Sequence, residues 1–215
     1  MIDVRVLEGQ EITDHVGDVA ALRIAVFRDW PYLYDGTLDY ERQYVATYCD
    51  RPGALLVGAF DAEGDAETRG PGFGENHATT RKTGRLVGAS TSTPLEDLSA
   101  EFAAPFSARG IPRDHVLWGP ESVLLPAYRG QGIGHRFFDF REAHARALGR
   151  SHVAFASIIR PDDHPARPVG ARTNDAFWRG RGYQPMDGVT VEFDWKDVGG
   201  SVETAKRLQV WMRAL

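Results

Sequence analysis

The sequence predicts a mixed α/β chain of the α+β type, a single domain over residues 1–215 with about seven strands and flanking helices. Three observations carry this expectation. Apolar and polar residues alternate in IDVRVLEG (2–9), as in a half-buried strand, and ALLVGAF (54–60) is an apolar run of strand length. Val16, Val19, Leu22 and Val26 recur at helical spacing and mark one buried stripe. Between two such patterns, PAYRGQGIGH (126–135) sets Gly130, Gly132 and Gly134 at alternate positions, directly after an apolar run. Glycine weakens any helix or strand that contains it, so bare backbone is needed there for a turn or for a ligand.

The elements follow in order. Thr13 or Asp14 caps the first helix and Pro31 stops it. The aromatic connection WPYLYDG (30–36) leads to a second helix over about 39–49. ALLVGAF and RLVGASTST (85–93) are strands. Residues 61–83 between them are rich in Gly, Glu, Thr and Asn and read as a mobile hairpin loop. A short helix over about 96–108 precedes the strand HVLWGPESVLLP (115–126). After the glycines, a helix over 132–148 buries Ile133, Phe137, Phe140 and Ala147. HVAFASII (152–159) is a strand, and the prolines of RPDDHPARPVGAR (160–172) make it a loop. A short helix over 173–180 and strands over about 188–196 and 205–213 close the chain. No repeat and no long linker divides it.

Composition excludes several classes. The net charge of −5 and the pI near 5.8 argue against a nucleic-acid surface, which is usually basic. No apolar run approaches the roughly eighteen residues that span a bilayer. MIDVRVLEGQEITDH lacks the basic-then-apolar order of a secretory signal. The single cysteine, Cys49, permits no internal disulfide, and the expected location is the cytoplasm. A homodimer is compatible with the sequence but not specified by it.

The glycine cluster fits neither common nucleotide fingerprint. G-x-G-x-x-G would need glycine at 135, where His135 stands, and no G-K-[ST] follows. What remains is a strand, a glycine-rich turn and an amphipathic helix, which converges several N–H groups and a helix N-terminus on one point. Arg129, His135 and Arg136 add positive charge. An anion site and a purely structural turn both fit the bare arrangement.

LLPAYRGQGIGHRFF resembles the acyl-coenzyme A signature of the GNAT superfamily of N-acetyltransferases, [RQ]-x-x-G-x-[GA] opening a helix, with Arg129, Gly132 and Gly134 at its specified positions. Element order over about 2–213 and AFWRGRGY (176–183) are similar as well. The resemblance implies a central mixed, splayed sheet, with acetyl-CoA as co-substrate inserted between strands 115–126 and 152–159. It implies pyrophosphate wrapped by the backbone of Gly130, Gln131, Gly132, Ile133, Gly134 and His135. It further implies pantetheine paired along Val123, Leu124 and Leu125, with Asn174 as the substitute for a family asparagine whose place is taken by Ala171.

The chemistry implied is acetyl transfer from thioester sulfur to a primary amine. An ammonium of pKa near 10.4 is about 0.04% deprotonated at pH 7, so free amine costs roughly 4–5 kcal/mol. A carboxylate relieves part of that cost, and Glu121 is the expected base. The family's late-helix tyrosine acid is replaced by Trp178, whose indole cannot donate in that way, so Tyr183 or water is left to protonate the thiolate. In FRDWPYLYDG (27–36), Trp30, Tyr32 and Tyr34 form an aromatic wall for the acceptor, and Asp35 or Asp29 holds a cationic amine. Packing under the loop is the competing account of those aromatics. Asp163 and His164 have no third ligand at useful spacing, so no metal is expected. Three classes stay open: a small-molecule amine acetyltransferase first, then a protein-directed one, then a non-catalytic acyl-CoA sensor.

Overall fold

The computed structural model describes residues 1–62 and 84–215; beyond Ala62, the loop expected over 61–83 lies outside them. The chain runs β1 (Ile2–Val6), α1 (Gln10–Phe27), α2 (Leu38–Ala46), β2 (Leu55–Asp61), β3 (Arg85–Pro94), α3 (Ala100–Ser107), β4 (Val116–Trp118), β5 (Ser122–Leu124), α4 (Ile133–Ala147), β6 (His152–Ile158), α5 (Asp175–Gly180), β7 (Gln184–Lys196) and β8 (Glu203–Ala214). The strands form one sheet in the order β1-β2-β3-β4-β6-β8-β7, with β5 also paired to β3. Every pairing is antiparallel except β4 with β6. This is a mixed α/β fold with helices on both faces.

The sheet has eight strands because the segment expected as one strand over 115–126 is broken. Gly119 N–H makes the last bond toward β6, to Ala154 O at 2.8 Å. Pro120 then has no N–H with which to continue a ladder. A Cβ at Gly119 would lie 2.6 Å from the Arg141 guanidinium, so only glycine lets that side chain approach. Beyond the break, β5 changes partner and pairs with β3. The sheet splays at this point.

Period-two alternation on β2 sorts the two faces. Leu56 faces α1 and α2, where Leu7, Val19, Leu22, Val45 and Val123 gather. Leu55 and Val57 face α4, with Ile133 and Phe137. A third cluster, Phe138, Phe155, Tyr183 and Trp211, fills the space beneath β6 and β8.

Three boundaries and faces differ from expectation. α1 starts at Gln10 rather than after Thr13 or Asp14, because Gly9 takes the cap position with φ +54° and the helix gains a turn. On α4 the buried face is Ile133, Phe137, Phe138, Arg141, Glu142 and Ala145, while Phe140 is half-buried and Ala147 exposed. Ala147 lies two positions, roughly 200°, around from Ala145. β7 begins at Gln184, ahead of the expected 188, because Gln184 and Pro185 pair with Met212 and Trp211 before a bulge.

Candidate active site

The splay leaves one edge of β5 open. Leu125 N–H donates to Val87 O and Glu121 O accepts from Thr91 N–H, so alternate residues of β5 bond β3. By that alternation the backbone of Val123 also faces β3, and its side chain is buried in the core. Ser122 and Leu124 present their backbone groups to the open side. Of Val123, Leu124 and Leu125, only Leu124 turns its backbone groups to the open side, and Arg129 Nε lies 3.3 Å from Leu124 O.

The glycine loop follows on that edge. Gly130 and Gly132 have φ of +76° and +79°, a left-handed backbone that favours glycine, and a Cβ on either would meet nothing within 4 Å. Both, with Gln131 and His135, are exposed. Gly132 is the N-cap of α4, so the first N–H groups of the helix, at Ile133, Gly134 and His135, lack intrahelical partners. The Ile133 side chain is buried against β1–β3, which seats the turn. Gly134 sits in ordinary helical conformation, and a Cβ there would lie 3.5 Å from the Phe177 ring, an ordinary van der Waals contact. Arg136 does not face the loop: it donates to Ile2 O and Val4 O and ties α4 to β1.

Glu121 stands at the break, with only 4% of its side chain exposed. Its Oε2 pairs with Arg23 Nη1 at 2.6 Å and accepts from Tyr44 Oη at 3.2 Å. Its Oε1 is buried and has no hydrogen-bond partner among the described residues. Tyr44 Oη is 3.0 Å from Tyr48 Oη. Burial and the Glu121 carboxylate push the Tyr32 phenol up to about 12, so it is a neutral donor at pH 7. On the opposite side of the break, Arg141 donates to Glu121 O (2.9 Å), Thr91 O (3.1 Å), and the hydroxyls of Ser90 (2.8 Å), Ser92 (3.0 Å) and Ser122 (3.0 Å). That fork ties β3 to β5 at the break where β5 parts from β4.

The aromatic loop is latched to its neighbours. Tyr32 packs on Phe27 at 4.7 Å and on Trp195 at 6.2 Å, and Trp30 faces His164 at 5.3 Å. Tyr34 bridges Asp197, and its phenol is raised by burial and by the Glu41 carboxylate. Arg160 donates to Pro31 O (2.9 Å) and Tyr32 O (2.7 Å) and forks onto Asp197, so loops 27–36 and 160–172 share this end. The Asp35 carboxylate already lies 2.8 Å from Lys196 Nζ and 3.0 Å from Arg28 Nη1, and both cations hold it below the usual carboxylate range.

Tyr183 is buried and donates to Glu142 Oε1 at 3.2 Å, so it is not free to protonate a leaving thiolate. Trp178 packs between Phe155 and Trp211, each at 5.1 Å. Asn174 sits exposed at the N-cap of α5 without a side-chain cap bond. Sequence reasoning missed Arg23, Glu41, Tyr44, Tyr48 and Arg141. A signal existed: Arg141 interrupts the apolar stripe Ile133–Phe137–Arg141–Ala145, and Glu41 and Val45 share one face of α2, with Tyr48 in the turn just after it.

The chain is thus a splayed mixed sheet with a strand–glycine turn–helix unit beside its open edge, and solved structures share that fold. No family model and no curated sequence matches the chain. A GCN5-related N-acetyltransferase from Kribbella flavida matches with TM-score 0.53 at 16% identity, covering 100% of this chain and 98% of that one. An aminoglycoside 6'-N-acetyltransferase complexed with coenzyme A matches with TM-score 0.55 at 11% identity, covering 99% and 96%. A ribosomal-protein-alanine N-acetyltransferase from Brucella melitensis matches with TM-score 0.57 at 13% identity, covering 99% of each. The chain has the fold of the GCN5-related N-acetyltransferases.

Proposed function

We propose that the chain is a single-domain GNAT enzyme that transfers acetyl from acetyl-CoA to the primary amine of a small molecule, in the cytoplasm. No helix among the described residues is long and apolar enough to cross a membrane. The observation that carries the reading is the glycine loop: two left-handed glycines at the N-terminus of α4, exposed, beside the open edge of β5. The backbone N–H groups of residues 130–135 bind pyrophosphate there, Leu124 and Ser122 pair with the pantetheine arm, and Arg129 and Asn174 flank it. Glu121 accepts the amine proton on Oε1 as nitrogen attacks the thioester carbonyl. Sulfur leaves with its electron pair as thiolate, tolerable at a thiol pKa near 8.5. Trp30, Tyr32 and Tyr34 wall the acceptor.

The test varies the loop without straining it. Asn tolerates a left-handed backbone better than other side chains, so Gly132→Asn keeps the turn while filling the anion's space. Calorimetry with acetyl-CoA is expected to show micromolar binding by the wild type and its loss in G132N, with Tm nearly unchanged. Equal affinity in the variant sinks the phosphate role. Coenzyme A release measured against an aminoglycoside, spermidine and an alanine-initiated peptide separates small-molecule from protein acceptors. Tight coenzyme binding with no turnover on a wider panel would make the chain a sensor instead.

A further inference from the structure

Beside the break, two carboxylates from separate parts of the chain share one guanidinium. Arg23 lies on α1, Glu41 on α2 and Glu121 between β4 and β5. Glu41 is fully buried, and Arg23 and Glu121 are nearly so. Arg23 Nε donates to Glu41 Oε2, while Nη1 approaches Glu121 Oε2 at 2.6 Å. An arginine facing one carboxylate ordinarily forks across both of its oxygens. Here Glu41 takes the Nε edge, and the guanidinium meets Glu121 at a single oxygen. The faces of Tyr44 and Phe27, 4.3 and 5.1 Å from the Arg23 guanidinium carbon, restrict its rotation.

The geometry points to Glu41 and Arg23 as positioning residues: Glu41 holds Arg23 so that it engages only Oε2 of Glu121 and leaves Oε1 to take the amine proton. The inference rests on the proposed role of Glu121. The N–H bond of the amine breaks toward Oε1, the N–C bond forms, and the C–S bond breaks with its electrons on sulfur. Other groups around Glu121 do not compete for that oxygen. Tyr44 donates to Oε2, and Tyr48 bonds Tyr44. Thr91 N–H and Arg141 bond only the Glu121 carbonyl, and Ser90 Oγ lies 3.4 Å from it. Tyr32 faces the cluster from the acceptor loop as a neutral phenol. Without the Glu41 charge, the Arg23 fork loses its hold on the Nε edge and can turn, between the Tyr44 and Phe27 faces, to close over both oxygens of Glu121.

A double-mutant cycle on kcat tests this, using acetyl-CoA and the fastest amine of the panel above. Glu41→Gln is expected to lower kcat on the order of tenfold, with acetyl-CoA Kd unchanged by calorimetry. In a Glu121→Gln background the same change should alter kcat by about twofold or less, because the oxygen it positions is no longer a base. Equal losses in both backgrounds would overturn the positioning role and leave Glu121 as base. A Glu121→Gln enzyme with wild-type kcat, or a wild type that acetylates no amine, would overturn both readings together. If Glu41→Gln does not fold, Glu41→Asp, one methylene shorter, enters the cycle with the same expectation. A crystal structure of the variant supplies an acceptor-independent check: Arg23 bidentate on Glu121 supports the inference, and an unmoved Arg23 defeats it.

Discussion

Exchanging Glu121 for Gln removes one proton acceptor while keeping the shape and the hydrogen bond from Tyr44, so it probes chemistry with little disturbance of packing. The expected result is a kcat lower by about ten- to a thousandfold near neutral pH, with coenzyme affinity little changed. The loss should shrink at high pH, where more amine is already free; a pH–rate profile with a constant deficit would argue for a structural glutamate. Arg141 gives the contrasting case. Its guanidinium is fully buried and bonds two carbonyls and three hydroxyls across β3, β5 and the break. Burial presses its pKa down, against the carboxylates and phenols that favour the cation. Arg141→Met leaves those acceptors dry and unpartnered, and should cost about 3–5 kcal/mol in urea unfolding. A loss below about 1 kcal/mol would show that water replaces the fork.

Among the elements, the aromatic loop is held by its neighbours more than by its own residues. Arg160 ties Pro31 O and Tyr32 O to Asp197, beyond β7, and touches neither the glycine loop nor Glu121. Arg160→Ala is therefore expected to raise the acceptor KM several-fold, in the range of about 1–2 kcal/mol of lost ordering, while acetyl-CoA Kd stays constant. Steady-state kinetics with each substrate varied in turn decides it; a change confined to the coenzyme side would place the loop elsewhere in function. Of the two accounts of Trp30, Tyr32 and Tyr34, wall and packing, the ring contacts show packing, and the wall is the proposal. Tyr32 packs on Phe27 and Trp195 with its hydroxyl beside the Glu121 cluster, so Tyr32→Phe isolates the polar end from the packed ring. The element most legible in the sequence was the turn into α4, because left-handed glycines and a helix start are local requirements. The least legible was the strand over 115–126, whose break depends on Arg141, twenty-two residues past Gly119, filling the space of a Cβ.

At the scale of the whole molecule, ion pairs join the two halves of the splayed sheet to the cleft, and pH reads their contribution. Burial pushes the Asp197 carboxyl up, but Arg160 and Lys206 outweigh it and bring the net value below the usual range. A depressed folded-state pKa stabilises the fold above the unfolded value, near 4, and that contribution fades as pH falls through the folded value. Asp197→Asn should thus lower Tm at neutral pH and flatten the acid side of the Tm–pH curve between about pH 5 and 2; an unchanged acid limb would mean that the pair adds nothing. Alternation, helical stripes, prolines and glycines determined the element order and the glycine turn into α4, because each expresses a chain's local conformational preference. The resemblance carried by Arg129, Gly132 and Gly134 led to the fold that the structure shows. What the tertiary structure decided is the company each charge keeps. It set Asp35 between Lys196 and Arg28, Tyr183 on Glu142, and Glu121 against Arg23 and Tyr44. Arg23 and Glu121 are ninety-eight positions apart, and Coulomb and hydrogen-bond energies depend on distance in space, which only the packed sheet and helices fix.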